Sequence, residues 1–157
     1  MLRHDDVNIP ANALPMLHPA SVIISGPSSV GKTRLVRELL CDDEFSIWPP
    51  PQRIVFIYSV WQPAYDEIKV GCLQLRGIQI EWMDSLEKLS SVQFSPDINN
   101  LVICDDQQEY IKDSEEAASF FLVKCHHLNA TIIVIQQCLF PKGKKSKQVH
   151  FSSFFTH

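Results

Sequence analysis

Residues Gly26-Pro27-Ser28-Ser29-Val30-Gly31-Lys32-Thr33 follow the pattern G-x-x-x-x-G-K-[ST]. This spacing suits the holding of polyphosphate. The glycines let backbone N–H groups turn inward round an anion, the lysine brings one ammonium to the outer phosphates, and a hydroxyl follows where a divalent cation sits. Residues 26–33 are therefore expected to cradle the α- and β-phosphates of a nucleoside triphosphate. Lys32 would reach the β- and γ-phosphates and Thr33 would ligate Mg²⁺. A second group stands downstream, where Asp105-Asp106 ends the apolar run Leu101-Val-Ile-Cys104. Asp105 is expected on the metal, opposite the Thr33 hydroxyl, and Asp106 is placed to orient or deprotonate an attacking water. A third group, Gln136-Gln137, ends the run Thr131-Ile-Ile-Val-Ile135. A side-chain amide there can donate to a γ-oxygen and accept from the lytic water, and so report whether the phosphate is present.

These groups need a rigid frame. Ser21-Val-Ile-Ile-Ser25 reads as a buried strand and Thr33–Leu40 as the start of an amphipathic helix. The helix N-terminus adds about half a positive charge beside the loop. Arg53–Ser59 is expected as a second strand after Pro49-Pro50-Pro51, which block helix. A short helix is expected over Gln62–Val70 with Pro63 near its first turn. Ile78–Trp82 alternates like a strand, and Asp84 then caps a short helix through Leu89. Leu101–Cys104 has the look of a strand buried on both faces. Asp113 or Ser114 caps a helix to about Leu128, with Glu115 and Glu116 in its first turn and Ala117, Phe120, Phe121, Cys125 and Leu128 on one face. Thr131–Ile135 is the next buried strand. Alternating strands and helices predict an α/β fold with a mostly parallel sheet and right-handed crossovers. Residues 1–20, with three prolines, read as an arm, and residues 21–157 as one domain.

At 157 residues, 45% hydrophobic and 20% charged, the chain has the composition of a globular domain with a core. No apolar run reaches the roughly 20 residues of a membrane span. Met1-Leu-Arg-His-Asp-Asp is too polar to open a secretory signal, so a cytoplasmic or nuclear location is expected. The cysteines, Cys41, Cys72, Cys104, Cys125 and Cys138, are scattered and odd in number, as reduced thiols would be. A zinc site from Cys125, His126, His127 and Cys138 is the weaker reading, since no C-x-x-C pair exists. The net charge of −4 excludes a general polycation. Lys142, Lys144, Lys145 and Lys147 nevertheless crowd one stretch, as a solvated loop, a nuclear-import patch or a contact to the phosphates of a nucleic acid.

The order of these motifs resembles the FtsK–HerA group of DNA-pumping ATPases, and more narrowly the genome-packaging ATPases of double-stranded DNA viruses and related transposons. The likeness runs over roughly residues 20–150 and is sharpest in Cys-His-His-Leu-Asn-Ala-Thr-Ile-Ile-Val-Ile-Gln-Gln-Cys-Leu-Phe-Pro (125–141), with Tyr58–Asp66 matching the segment after the second strand. The resemblance implies a three-layer P-loop core of the RecA/ASCE type, a homo-oligomeric ring (commonly hexameric), ATP and Mg²⁺ as cofactors, and translocation of double-stranded DNA, with capsid or portal proteins as further partners. It implies that Lys32 and Thr33 hold phosphate and metal, that Asp105 and Asp106 form the acidic pair, and that Gln137 rather than Gln136 is the sensing glutamine. Many ATPases of this type carry Glu where Asp106 stands. The family's final core strand would fall near Val149–Phe155, either in short form or cut away in a truncated copy. Arg53 and Arg76 are candidates for a finger across subunits only by elimination, because no arginine follows Arg76.

Three functions fit the residues. The first is an ATP-hydrolysing DNA motor subunit. The second is a small-molecule kinase of P-loop type, which would want an arginine-bearing lid where only lysines follow Gln137. The third is a nucleotide-binding interaction module without turnover. No N-K-x-D guanine-reading motif occurs, so ATP is the expected nucleotide.

Overall fold

Short runs of valine and isoleucine, separated by amphipathic segments, build a parallel sheet. A computed structural model describes residues 15–41, 47–113, 115, 119 and 125–137. In chain order the elements are β1 (Met16–Leu17), β2 (Ser21–Ser25), α1 (Lys32–Cys41), β3 (Ile47–Trp48), β4 (Arg53–Ile57), α2 (Pro63–Arg76) and β5 (Glu81–Met83). A 3₁₀ helix (Leu86–Ser91), β6 (Asn100–Asp105), α3 (Gln108–Asp113), a helical turn (Cys125–His127) and β7 (Ala130–Gln136) follow. Five strands form an open sheet in the order β2-β7-β6-β4-β5, and β1 pairs separately with β3. Every pairing among the described residues is parallel.

The pleat sends alternate residues to two cores. Ile54 and Phe56 of β4, Leu101 and Ile103 of β6, and Ile133 and Ile135 of β7 meet Val36 and Leu40 of α1 and Tyr65, Ile68 and Cys72 of α2. Their neighbours Val55, Ile57, Val102, Cys104 and Ile132 meet Leu86 and Leu89 of the 3₁₀ helix, Ile111 of α3 and Cys125. The sheet is thus covered on both faces, which is why β6 is buried at every position and carries an unbroken apolar run. No helix among the described residues is long and apolar enough to cross a membrane.

Several boundaries differ from expectation. Helix α2 runs to Arg76, past Gly71, and is stopped by Gly77 in the left-handed region (φ 66°) with its N–H on Leu73 O. Of the expected 78–82 strand only Glu81 and Trp82 pair with β4, and the pairing runs on to Met83, although Ile78 and Ile80 still pack on the core. Ser85 caps the 3₁₀ helix by accepting from the Glu87 N–H, and Asp84 pairs with Lys88 instead. Asp113, expected as a helix cap, is the last residue of α3. Most of the helix expected from there to Leu128 lies outside the described residues, as do the final strand at 149–155, residues 1–14 of the expected arm and the lysines at 142–147. Within that arm, Met16–Leu17 pairs with β3.

Candidate functional site

The register brings three strand ends level. Ser25 of β2 pairs with Gln136 of β7, and Ile135 of β7 pairs with Asp105 of β6. β7 therefore lies between the strand that feeds the 26–33 loop and the strand that carries the acidic pair. At about 4.8 Å per strand, the loop's start and Asp106 stand roughly 10 Å apart across the carboxyl edge of the sheet. Backbone bonds tie both sides to β7: Gly26 N–H donates to Gln136 O (3.3 Å) and Asp106 N–H to Ile135 O (3.2 Å).

The loop takes the turns its glycines and serines allow. Ser29 (φ 65°) and Gly31 (φ 97°) both lie in the left-handed region. At Gly26 a Cβ would stand 3.0 Å from Cγ2 of the exposed Val30, which would have to shift to admit it. The first bond into α1 runs from Leu35 N–H to Gly31 O (2.9 Å), which leaves the amides of 32–34 without an intrahelical acceptor. Residues 27–31 are exposed. Lys32 folds back over the loop, with Nζ donating to Gly26 O and Pro27 O (2.7 Å each). Exposed amides at a helix N-terminus with an ammonium above them form a ready anion cradle. Thr33 follows in the first turn of α1, half-buried.

Asp105 is the last residue of β6, not the first beyond it, and is 5% exposed. Its Oδ2 accepts from the hydroxyl of Tyr65 on α2 at 2.6 Å. Burial raises its pKa above the usual carboxylate value; the Tyr65 hydroxyl and the charge of Lys32 pull the other way, and Asp106 adds to the rise. Burial likewise raises the Tyr65 phenol, helped by its bond to Asp105. Asp106 is exposed and left-handed (φ 55°), and its carbonyl accepts from Ser59 Oγ (2.7 Å). Ser59 Oγ in turn accepts from Gln107 Nε2 (2.8 Å). Gln136 ends β7 half-buried, and Gln137 stands beyond it, exposed.

The fold thus gathers the loop, Asp105, Asp106 and the two glutamines on one edge. The residues suit Mg²⁺: one buried carboxylate with Oδ2 engaged and Oδ1 left over, a hydroxyl at the helix start and an anion cradle. Mg²⁺ keeps several waters and takes only one or two carboxylates beside phosphate oxygens. The two finger candidates both hydrogen-bond within this chain. Arg53 opens β4 at the opposite, amino edge, where Glu81 (2.6 and 3.0 Å) and Gln93 O hold its guanidinium. Arg76 ends α2 and donates from Nε to Leu40 O (3.2 Å). For the zinc reading, Cys125 is buried while His126 and His127 are exposed, and Cys138 lies outside the described residues. Among the described residues no group of three or more His, Cys, Asp or Glu is placed to hold a metal. Tyr65 and Ser59 are site residues that sequence reasoning missed. The signals for Tyr65 were its place in the first turn of a helix that follows a buried strand and inside the stretch Tyr58–Asp66, neither of which assigned it a role. The chain matches no protein-family model and no curated protein.

Proposed function

We propose that this chain is a Mg²⁺-dependent ATPase with a P-loop core of the RecA/ASCE type, working as a subunit of a motor that packages or translocates double-stranded DNA. The observation that carries the ATPase reading is the strand order. A strand ending in glutamine separates the loop strand from the aspartate strand, so that cradle, carboxylates and amide face one edge. The left-handed turns at Ser29 and Gly31 and the Lys32 ammonium folded over the loop support it. The likeness of residues 125–141 to packaging ATPases and the lysines at 142, 144, 145 and 147 support the DNA reading, together with a homo-oligomeric ring, capsid or portal partners and a cytoplasmic or nuclear setting.

In this reading the backbone N–H groups of 28–32 bind the triphosphate (Pro27 has none to give), and Lys32 leaves the Gly26 and Pro27 carbonyls for the β- and γ-phosphates. Thr33 and Asp105 would hold Mg²⁺, which would supply neutralisation of the charge that develops on the phosphates. Asp106 aligns the attacking water and accepts its proton, its backbone fixed by Ser59. Gln137 senses the γ-phosphate and passes its loss to the lysine stretch that follows in the chain.

The test is ATP binding and hydrolysis by the full chain, with and without duplex DNA, over a range of salt. Hydrolysis by the parent is expected to need Mg²⁺ and to rise with DNA in a salt-sensitive way. Lys32→Ala should lose ATP binding or turnover. Asp106→Asn should keep binding and lose hydrolysis by about a hundredfold or more, the scale of a lost general base. Equal hydrolysis by Asp106→Asn and the parent removes Asp106 from its role. Indifference to DNA at every salt overturns the motor.

A further inference from the structure

We infer that Tyr65 is a positioning residue that fixes the orientation of Asp105 and leaves Oδ1 as the oxygen offered to Mg²⁺ or to a water in its shell. The inference rests on the nucleotide–metal reading of this edge and names a residue that reading does not use. A carboxylate has two oxygens and about four lone-pair sites. Tyr65 takes Oδ2 at 2.6 Å, the length of a hydroxyl donating to an ionised acceptor. Neither partner has much room to turn. Asp105 is held by the ladder to β7, and Tyr65 is 1% exposed. The phenol ring is wedged among Phe56 (centroids 4.9 Å apart), Trp61 (5.5 Å), Trp82 (5.6 Å) and Tyr58 (5.9 Å). A hydroxyl carried on such a ring sets the plane of the carboxyl it binds.

The helix that carries Tyr65 is also keyed to the helix that carries Thr33. Helices α1 and α2 pack together, and Arg37 Nη1 donates to Glu67 Oε2 at 2.7 Å. Through α2, the carboxylate and the hydroxyl proposed to share one cation are referred to the same rigid body. Residues that orient a metal ligand are worth about tenfold to a hundredfold in metal affinity.

The experiment measures Mn²⁺ retention by the ATP-saturated full chain, from the electron paramagnetic resonance signal of free Mn²⁺, beside ATP binding in EDTA. Tyr65→Phe keeps the ring and removes the hydroxyl. It should weaken Mn²⁺ retention about tenfold or more and leave metal-free ATP binding within about twofold of the parent. A role in packing alone would weaken both together, and that result overturns the inference. So does Mn²⁺ retention equal to the parent's. A parent that binds ATP but retains no Mn²⁺ beside it, or binds neither, brings down the nucleotide–metal reading as well. Should Tyr65→Phe not fold, the parent is labelled with 3-fluorotyrosine at its three tyrosines. Tyr58→Phe and Tyr110→Phe then assign the Tyr65 fluorine resonance. Adding Mg²⁺ to the ATP-bound chain should shift that resonance, and a fixed resonance overturns the inference.

Discussion

Asp105 has exchanged most of its water for one phenolic hydroxyl and sits beside a second carboxyl. A buried carboxylate gains from a single good hydrogen bond, but not enough to offset lost hydration unless a cation completes the shell. Asparagine can accept the same Tyr65 hydrogen bond without the charge. Asp105→Asn is therefore expected to raise the Mg²⁺-free stability of the fold by about 1 kcal/mol, the scale at which functional residues oppose stability, while abolishing metal-dependent hydrolysis. Urea unfolding in EDTA checks it; a loss of stability would mean that the carboxylate is structural. Asp106 carries a related cost in its left-handed backbone, a conformation Asp tolerates better than most residues. Both aspartates were legible in the sequence because an apolar run stops at them. Tyr65 was not, since its partner lies 40 positions along the chain and only packing brings them together.

Between α1 and α2 the decisive residue is the smallest. Gly71 lies within α2, where glycine costs about 1 kcal/mol relative to alanine on backbone entropy. The helix expected from the sequence ends at Val70, just before Gly71, and a glycine that serves packing cannot be told from one that serves as a cap in a string. The structure separates them: Gly77 has the left-handed φ, while a Cβ at Gly71 would meet Cys41 Sγ at 2.6 Å and Cys41 Cβ at 3.1 Å. Cys41 Sγ is confined in turn, 4.0 Å from Cys72 Sγ and 3.8 Å from Ile68 O. Burial pushes the Cys72 thiol up to about 12, so it behaves as a small apolar group. Overpacking costs roughly 1–3 kcal/mol against the propensity gain of about 1. Gly71→Ala is thus expected to destabilise the chain by about 1 kcal/mol. In a Cys41→Ala background the sulfur at 2.6 Å is gone and only the Cβ contact at 3.1 Å remains, which a small shift relieves, so the same change should become neutral or stabilising. Thermal unfolding of the four proteins in this cycle decides it, and an unchanged sign would place the strain elsewhere.

For the molecule as a whole, a parallel sheet has two unlike edges. The carboxyl edge gathers the candidate site, and the amino edge is closed by a polar network that no motif announced. The alternating pattern was enough to anticipate an α/β fold with a mostly parallel sheet. Register was not, since it depends on contacts such as those of His18, which reaches β7 from more than 110 positions away. Asn129 Nδ2 donates to Ile98 O (2.9 Å) and Asn99 Oδ1 (3.1 Å), so its Oδ1 is the acceptor for His18 Nε2–H (3.0 Å). Nδ1 is then the unprotonated nitrogen and accepts from Thr131 Oγ1 (2.7 Å), which itself accepts from Ala20 N–H (3.1 Å). A proton on Nδ1 would force the Thr131 hydroxyl to turn away. Burial lowers the His18 pKa below 6.5, opposed only by the bonds to Asn129. Between that lowered value and 6.5 the unfolded chain binds more protons than the folded one, so stability from this site is complete above about pH 6.5 and is lost as pH falls toward the folded value. Urea midpoints at pH 7.5 and 5.5 should therefore differ more in the parent than in His18→Gln, whose amide does not titrate. Equal differences would remove His18 from the acid response. Metal-free ATP binding at pH 7.5 should be the same in both proteins, because the network lies on the edge opposite the loop.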